Sequence, residues 1–150
     1  MRFQLTTDYA IRIIGYLHRH PGELVTAQEV ADNVGVTYQI FMKVSNQLKK
    51  AGLVKTTRGC LGGYSLGKRG SEISLFEIVM IMEGEICINR CLAEDGYCSG
   101  HFTATCPVHC ALGGLQATIL DTLKSVYISD MWKEADKSFD EIAAKERVVS

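Results

Sequence analysis

The sequence lacks the features that place a chain in a membrane or direct it to secretion. No window approaches the roughly 18 consecutive apolar residues of a membrane-spanning helix. The N-terminus shows no basic stretch followed by a long apolar run and a cleavage site, which is the pattern of a secretory signal peptide. These absences predict a cytoplasmic protein without a membrane partner, in which cysteine side chains stay reduced.

The spacing C-x2-C, internal repeats and low-complexity segments are also missing. That short spacing is typical of structural zinc sites and of thiol–disulfide oxidoreductases, so its absence disfavours both classes. The chain is therefore expected not to be an enzyme. A thiol oxidoreductase that uses Cys106 and Cys110, or a similar pair, remains an open alternative.

Acidic residues are absent from one continuous segment, residues 36–70, which carries seven lysine and arginine residues. Because the whole chain has a net charge of −1, the remainder must carry −8 against +7 in this segment. A wholly acid-free segment between acidic flanks predicts a surface for a polyanion, and nucleic acid is the leading partner.

The order of capping residues and apolar stripes predicts a mainly α fold that contains a winged helix-turn-helix. Thr7 is predicted to cap a first helix that ends near His18. The capping box Thr26–Glu29 predicts a short second helix, and Thr37 is predicted to cap a third helix that ends near Ala51. Two short helices separated by a few residues, one of them a glycine, are typical of the helix-turn-helix.

Residues 53–57 and 64–66 are predicted to form two short strands joined by the glycine-rich loop 58–63, which makes a two-stranded wing. A second capping box, Ser74–Glu77, predicts a helix that ends near Gly84. After the cysteine-bearing loop, a stripe of apolar residues predicts a long dimerisation helix that packs against a second copy; the stripe comprises Leu112, Leu115, Ile119, Leu123 and Val126.

Ser138 is predicted to cap a last helix. The predicted organisation is a winged helix-turn-helix DNA-binding domain at residues 1–84, a cysteine-bearing loop at 85–110 that is the candidate cofactor site, and a dimerisation helix with a C-terminal tail at 111–150.

The third helix is predicted to lie in the major groove of double-stranded DNA, with its first turns near the base edges. Gln39 can pair with adenine, and Lys43 can reach guanine or phosphate. Arg58 at the wing tip suits a narrow minor groove. The predicted DNA-binding residues are Thr37, Tyr38, Gln39, Lys43, Arg58, Gly62 and Gly63, with Met42 also facing outward.

Five of the six cysteines fall in one short stretch, with the spacing Cys87-x3-Cys91-x6-Cys98-x7-Cys106-x3-Cys110, and His109 lies beside the last. Thiolates and an imidazole on one loop are ligands for soft metals. Spacings of six and seven residues favour a metal centre larger than a single ion, so an iron–sulphur cluster is favoured over zinc. A zinc-stabilised or thiol-redox DNA-binding regulator without a cluster remains the alternative.

Four segments carry a family resemblance: TTDYAIR, TAQEVADNVGVTYQIFMKVSNQLKKAGLV, RGCLGGYSL and ISLFEIVMIMEG. In these the chain resembles the IscR/NsrR family of winged-helix transcription regulators, the Rrf family, over about residues 1–130. RG-x-x-GGY after KAGLV is the most specific motif. Gln39, Ile40 and Met42 differ from some members, so the operator sequence does not carry across.

The resemblance implies a homodimeric regulator, expected to be a repressor of a palindromic operator, that senses redox state, nitric oxide or iron–sulphur status. It also implies that Cys91, Cys98 and Cys106 bind a [2Fe–2S] or [4Fe–4S] cluster. Two fourth ligands match family members: His109 of the same chain, and Asp8 contributed by the partner subunit. Roles for Cys60, Cys87 and Cys110 stay open.

Overall fold

A computed structural model of the chain describes residues 2–101 and 104–149, with side chains through Ser138. The helices and strands follow in the order α1 (Leu5–His18), α2 (Ala27–Val34), α3 (Tyr38–Lys50), β1 (Val54–Thr57), β2 (Gly63–Leu66), α4 (Leu75–Glu83), α5 (Pro107–Ser125) and α6 (Ile128–Val149), with 3-10 turns at Gly70–Glu72 and Arg90–Leu92. The mainly α architecture with a two-stranded wing is confirmed. No helix in the described ranges is long and apolar enough to span a membrane.

The helix-turn-helix begins each of its helices with the predicted cap. The Thr26 hydroxyl accepts a hydrogen bond from the Glu29 amide at 3.2 Å, and the Thr37 hydroxyl accepts one from the Ile40 amide at 3.3 Å. Between these helices Gly35 adopts φ 80°, a left-handed conformation that favours glycine at a helix end. Local chemistry therefore sets both helix starts and the turn between them.

The start of α1 differs from the prediction. The helix begins at Leu5, with Gln4 at its N-cap and no side-chain cap. Thr7 is fully buried, and its hydroxyl donates to the carboxylate of Glu83 at the end of α4. The Gln4 amide donates to the same carboxylate at 2.7 Å. The prediction that Thr7 caps α1 is wrong, because a distant carboxylate satisfies the amide at this helix start.

The main core lies between α1, α3, the wing and the start of α6. Its largest fully buried members include Ile13, Ile14, Phe41, Leu48 and Ile128. In the wing, β1 and β2 pair antiparallel, and Tyr64 also forms a bridge with Val25. The core thus holds the recognition helix α3 and the wing on one frame.

Helix α6 returns to the winged-helix body. Trp132 packs against Gly15 of α1, and Arg19 forms an ion pair with Asp136 at 3.3 Å. The predicted cap at Ser138 is wrong, because α6 runs through this residue and the Ser138 hydroxyl donates to the Glu134 carbonyl at 3.1 Å.

The apolar stripe of α5 divides between two environments. Leu123 is buried in a second small core with Val79 and Ile86, and Ile119 packs against it. In contrast, 52% of the Leu115 surface is exposed. Leu123 therefore packs within the chain, whereas Leu115 in the first half of α5 stays open to solvent.

The packing of Trp132 on Gly15 gives a test of this arrangement. A Cβ atom on Gly15 would fall inside the indole ring, so we expect Gly15→Ala to lower the free energy of unfolding by about 1–3 kcal/mol and to shift Trp132 emission. Gly114→Ala in α5 is the matched control, because no atom lies within 4 Å of its Cβ position. We expect that control to be neutral or stabilising by about 0.5–1 kcal/mol. Equal stability of the two variants in urea unfolding would contradict the α1–α6 packing.

Candidate functional site

The N-terminal end of α3 presents an open polar surface. Thr37, Tyr38, Gln39 and Lys43 are all exposed at this helix start, where the Thr37 hydroxyl caps the helix. Lys43 supplies the positive charge of this group, and no acidic residue occurs in residues 36–70. Four of the predicted DNA-binding residues therefore lie on one accessible, polar helix end.

Met42 does not belong to that open surface. Its side chain is half-buried against the main core, and its sulfur accepts a hydrogen bond from the Tyr64 hydroxyl at 3.4 Å. The Tyr64 ring packs edge-on against Phe41, with centroids 4.9 Å apart. The prediction that Met42 faces outward is wrong, since this residue ties α3 to the wing.

Arg58 is exposed at the wing tip, as predicted, whereas Gly62 and Gly63 are half-buried. A Cβ on Gly62 would collide with the Thr57 carbonyl, and a Cβ on Gly63 would lie 2.7 Å from the Val25 carbonyl. These two glycines allow the backbone of the wing to come close to other backbone atoms of the same protein. They therefore shape the wing that presents Arg58.

No disulfide joins the cysteines among the described residues. Cys87 and Cys91 share a hydrogen-bonded turn: the Cys87 thiol donates to the Asn89 carbonyl at 2.7 Å, and the Asn89 side-chain amide donates to the Cys91 sulfur at 3.3 Å. The two cysteines are therefore held in one short turn at the start of the loop.

Cys106 and His109 occupy the N-terminal end of α5. Cys106 is the N-cap residue without a side-chain capping bond, and Pro107 starts the helix. His109 follows in the first turn, and its Nδ1 atom is buried without a hydrogen-bond partner among the described residues. An unpaired buried nitrogen is costly unless a ligand engages it. This atom is therefore a candidate donor to a metal.

Asp8 has a different environment. Its carboxylate forms an ion pair with Arg12 one turn along α1, at 2.6 Å. This carboxylate already has a cationic partner in the chain, whereas the His109 nitrogen has none among the described residues. Of the two predicted fourth ligands, His109 has the open coordination position.

The cysteine-bearing loop between α4 and α5 is tethered twice near its N-terminal end. Glu83, the last residue of α4, accepts from the backbone amide of Gln4 and the Thr7 hydroxyl of α1. Five residues later, the Ile88 amide donates to the side chain of Gln116 of α5 at 3.0 Å. Sequence reasoning missed both tethers, because they join residues 28 to 79 positions apart and no local pattern marks them.

Cys91, Cys98 and Cys106 all lie on this tethered segment. Among the side chains that the structure describes, which end at Ser138, no three of cysteine, histidine or acid converge into a metal-ion cradle. The donor types nevertheless suit an iron–sulphur cluster, which thiolates and imidazole both ligate. Metal binding commonly couples to ordering of the segment that carries the ligands.

Comparisons with known proteins agree with this architecture. The sequence profile of the family described as Rrf2, iron-dependent transcriptional regulator, matches residues 3–134. Protein aau3 of Rhizobium meliloti (strain 1021) is 31% identical over 133 residues, which cover 89% of this chain and 86% of that protein.

Two solved structures share the fold. IscR of T. potens has a TM-score of 0.73 at 22% identity and covers 92% of this chain and 90% of its own. CymR of B. subtilis, described as its global cysteine regulator, has a TM-score of 0.70 at 22% identity and covers 87% of this chain and 95% of its own. At such identities these likenesses establish the winged-helix fold.

The exposure of the thiols predicts their order of reaction. Cys60 and Cys110 are exposed, whereas the other four cysteines are half-buried. We expect a water-soluble thiol reagent to modify two thiols of the metal-free protein rapidly and four slowly. Cys60→Ala and Cys110→Ala should each remove one rapid equivalent, as mass spectrometry of the modified protein would show. A rapid phase that survives both substitutions would contradict this placement of the loop.

Proposed function

Because the chain belongs to the Rrf2 family of transcription regulators, we propose that it is a homodimeric repressor whose operator binding is controlled by an iron–sulphur cluster. Family members are transcription regulators rather than enzymes, and they bind DNA through the winged helix. One observation supports the part of this proposal that concerns the cluster. The winged helix is packed together with the cysteine-bearing segment at residues 87–110, which we call the thiol loop. At the end of this loop the His109 Nδ1 atom is buried and unpaired among the described residues.

The recognition surface suits double-stranded DNA. Tyr38, Gln39 and Lys43 lie exposed at the start of α3, where a recognition helix meets base edges in the major groove. Arg58 extends from the wing, where the minor groove attracts arginine. Contacts to phosphate orient the protein, while Gln39 and Lys43 can read bases.

A homodimer would cover the apolar side chains that are exposed on the first half of α5. Val108 and Leu115 are 59% and 52% exposed, and Met80 of the adjoining α4 is 37% exposed. Apolar side chains grouped on a helix surface favour association with another apolar surface. Two copies joined there would present two recognition helices to a palindromic operator.

Cys91, Cys98, Cys106 and His109 are the proposed ligands of the cluster. The bound cluster would supply iron that reacts with oxidants and with nitric oxide, and its occupancy would depend on iron–sulphur supply. His109 would use its unpaired Nδ1, and the Asn89 amide would steady the Cys91 sulfur. Asp8 is the weaker candidate because Arg12 engages its carboxylate.

The two tethers of the loop give a route from ligand to DNA. A change in the loop pulls on Glu83, which holds the start of α1, and on Gln116 within α5. Helix α1 packs directly against α3 in the main core. Movement of the loop would therefore change the separation of the two recognition helices, to which half-sites one DNA turn apart are sensitive.

Lys43→Ala tests the DNA-binding surface. We expect the variant to bind the operator more weakly and, if Lys43 neutralises a phosphate, to lower the slope of log K against log salt by about 1. Fluorescence anisotropy across a salt series would measure both. Lys133→Ala, an exposed lysine on α6, is the matched control and should bind as the wild type does. Equal losses in both variants would refute the assignment of α3 to the interface.

Substitution of the two rival ligands tests the cluster. After anaerobic reconstitution with iron and sulphide, we expect His109→Ala to retain less iron, acid-labile sulphide and visible absorbance than the wild type. Cys106→Ala should lose the cluster, whereas Asp8→Ala and Cys60→Ala should resemble the wild type. Thermal melting of the metal-free variants would confirm that each one folds.

The opposite pattern, in which Asp8→Ala loses the group and His109→Ala keeps it, would assign a site shared between subunits. A colourless wild-type protein that holds stoichiometric zinc would exclude the cluster altogether.

A further inference from the structure

The most exposed of the large apolar side chains in the described residues is Leu61, at the tip of the wing. It is 88% exposed, and the next is Leu5 at 63%. An exposed leucine on a general surface needs no explanation. This one lies in the turn of the wing next to Arg58, and the residues that the structure describes leave most of its surface uncovered.

The backbone of the wing tip holds Leu61 outward. The Gly62 amide donates to the Gly59 carbonyl at 3.0 Å, which closes a tight turn with Cys60 and Leu61 at its apex. Gly59 adopts φ 114°, a conformation that favours glycine, and Gly62 approaches the Thr57 carbonyl too closely to carry a Cβ. These constraints give the leucine a defined direction rather than the freedom of a loose loop.

The charged residues near the tip of the wing indicate which kind of partner Leu61 contacts. Lys55 and Arg58 lie on the same hairpin, and no acidic residue occurs in residues 36–70. A neutral protein surface that receives one leucine would not require this acid-free segment. The family is one of transcription regulators, so the polyanion in question is a duplex, whose minor groove offers sugar and base surface between two phosphate rows.

We propose that Leu61 inserts into the minor groove beside Arg58 and presses on a base step, as an apolar contact that adds affinity and a preference for easily unstacked steps. The inference rests on the proposed DNA-binding function and adds a contact to it. Arg58 would supply attraction to the negative potential of the groove, and Leu61 would bury apolar surface there. Flexible pyrimidine–purine steps accept such a wedge at the lowest cost.

The salt dependence of binding separates the two contacts. A duplex selected from a random pool by the wild-type protein serves as the probe, and anisotropy gives Kd at several salt concentrations. We expect Leu61→Ala to raise Kd by about five- to tenfold at every salt concentration with an unchanged slope, because no phosphate contact is lost. Arg58→Ala should lower the slope by about 1. Leu61→Met should restore most of the affinity, and Leu5→Ala, the second most exposed leucine, should have no effect.

Unstacking gives a second readout. With 2-aminopurine at the base step contacted by the wing, wild-type protein should raise the fluorescence and Leu61→Ala should not. Circular dichroism and thermal melting would show that both variants keep the fold. Wild-type affinity and fluorescence in Leu61→Ala, beside a loss in Arg58→Ala, would overturn the wedge and leave DNA binding standing. A reduced salt slope in Leu61→Ala would also overturn it, because the residue would then act only through phosphate contacts. Failure of the wild-type protein to select or bind any duplex would overturn the proposed function itself.

Discussion

Tyr64 connects the recognition helix to the wing, and the geometry of the DNA-binding surface depends on this connection. Its ring packs edge-on against Phe41, and its hydroxyl donates to the Met42 sulfur. Its backbone pairs with Val25 in both directions, at 3.0 and 2.7 Å. One residue therefore fixes β2 against α3 and against the segment before α2. These contacts add to those of the main core in setting the separation between Gln39 on the helix and Arg58 on the wing, on which the proposed contact with both grooves of a duplex depends.

The thiol loop is built into the same framework rather than appended to it. Glu83 is the last residue of α4, and its carboxylate also accepts a hydrogen bond from the Gln4 amide at the start of α1, which has no side-chain cap. Gln116 holds the first part of the loop on α5. Because α1 packs on α3 and the later half of α5 packs on α4, a change in the loop reaches the recognition helix through contacts between packed elements. The proposed control of DNA binding needs no other moving part.

Predictions based on local chemistry succeeded where the partners are close in sequence. Thr26, Thr37 and Ser74 each accept a hydrogen bond from an amide three residues on, as their motifs predict. Thr7 and Ser138 have equally suitable side chains but do not cap helices. The buried Thr7 hydroxyl donates to Glu83 instead, and α6 continues through Ser138. A capping residue indicates a helix start only when no distant group competes for it.

The cysteine spacing and the family resemblance predict which residues are ligands but not how they are arranged. They point to Cys91, Cys98 and Cys106, with His109 and Asp8 as alternative fourth ligands. The structure separates that pair by environment, since one carboxylate has an arginine partner and one imidazole nitrogen is buried without a partner in the described chain. Burial and pairing depend on elements distant in sequence, so no local pattern carries them.

The amino-acid sequence by itself determined the helix-turn-helix, the wing, the acid-free surface and the set of thiols, because capping, strand pairing across a short loop and net charge are local properties. Only the tertiary structure decided that Met42 faces Tyr64, that Trp132 covers Gly15, and that Leu123 of α5 packs within the chain. Each of these contacts depends on which distant side chain lies next to the residue. Because the interior is closely packed, all such contacts are fixed together, and none can be predicted from one residue and its sequence neighbours.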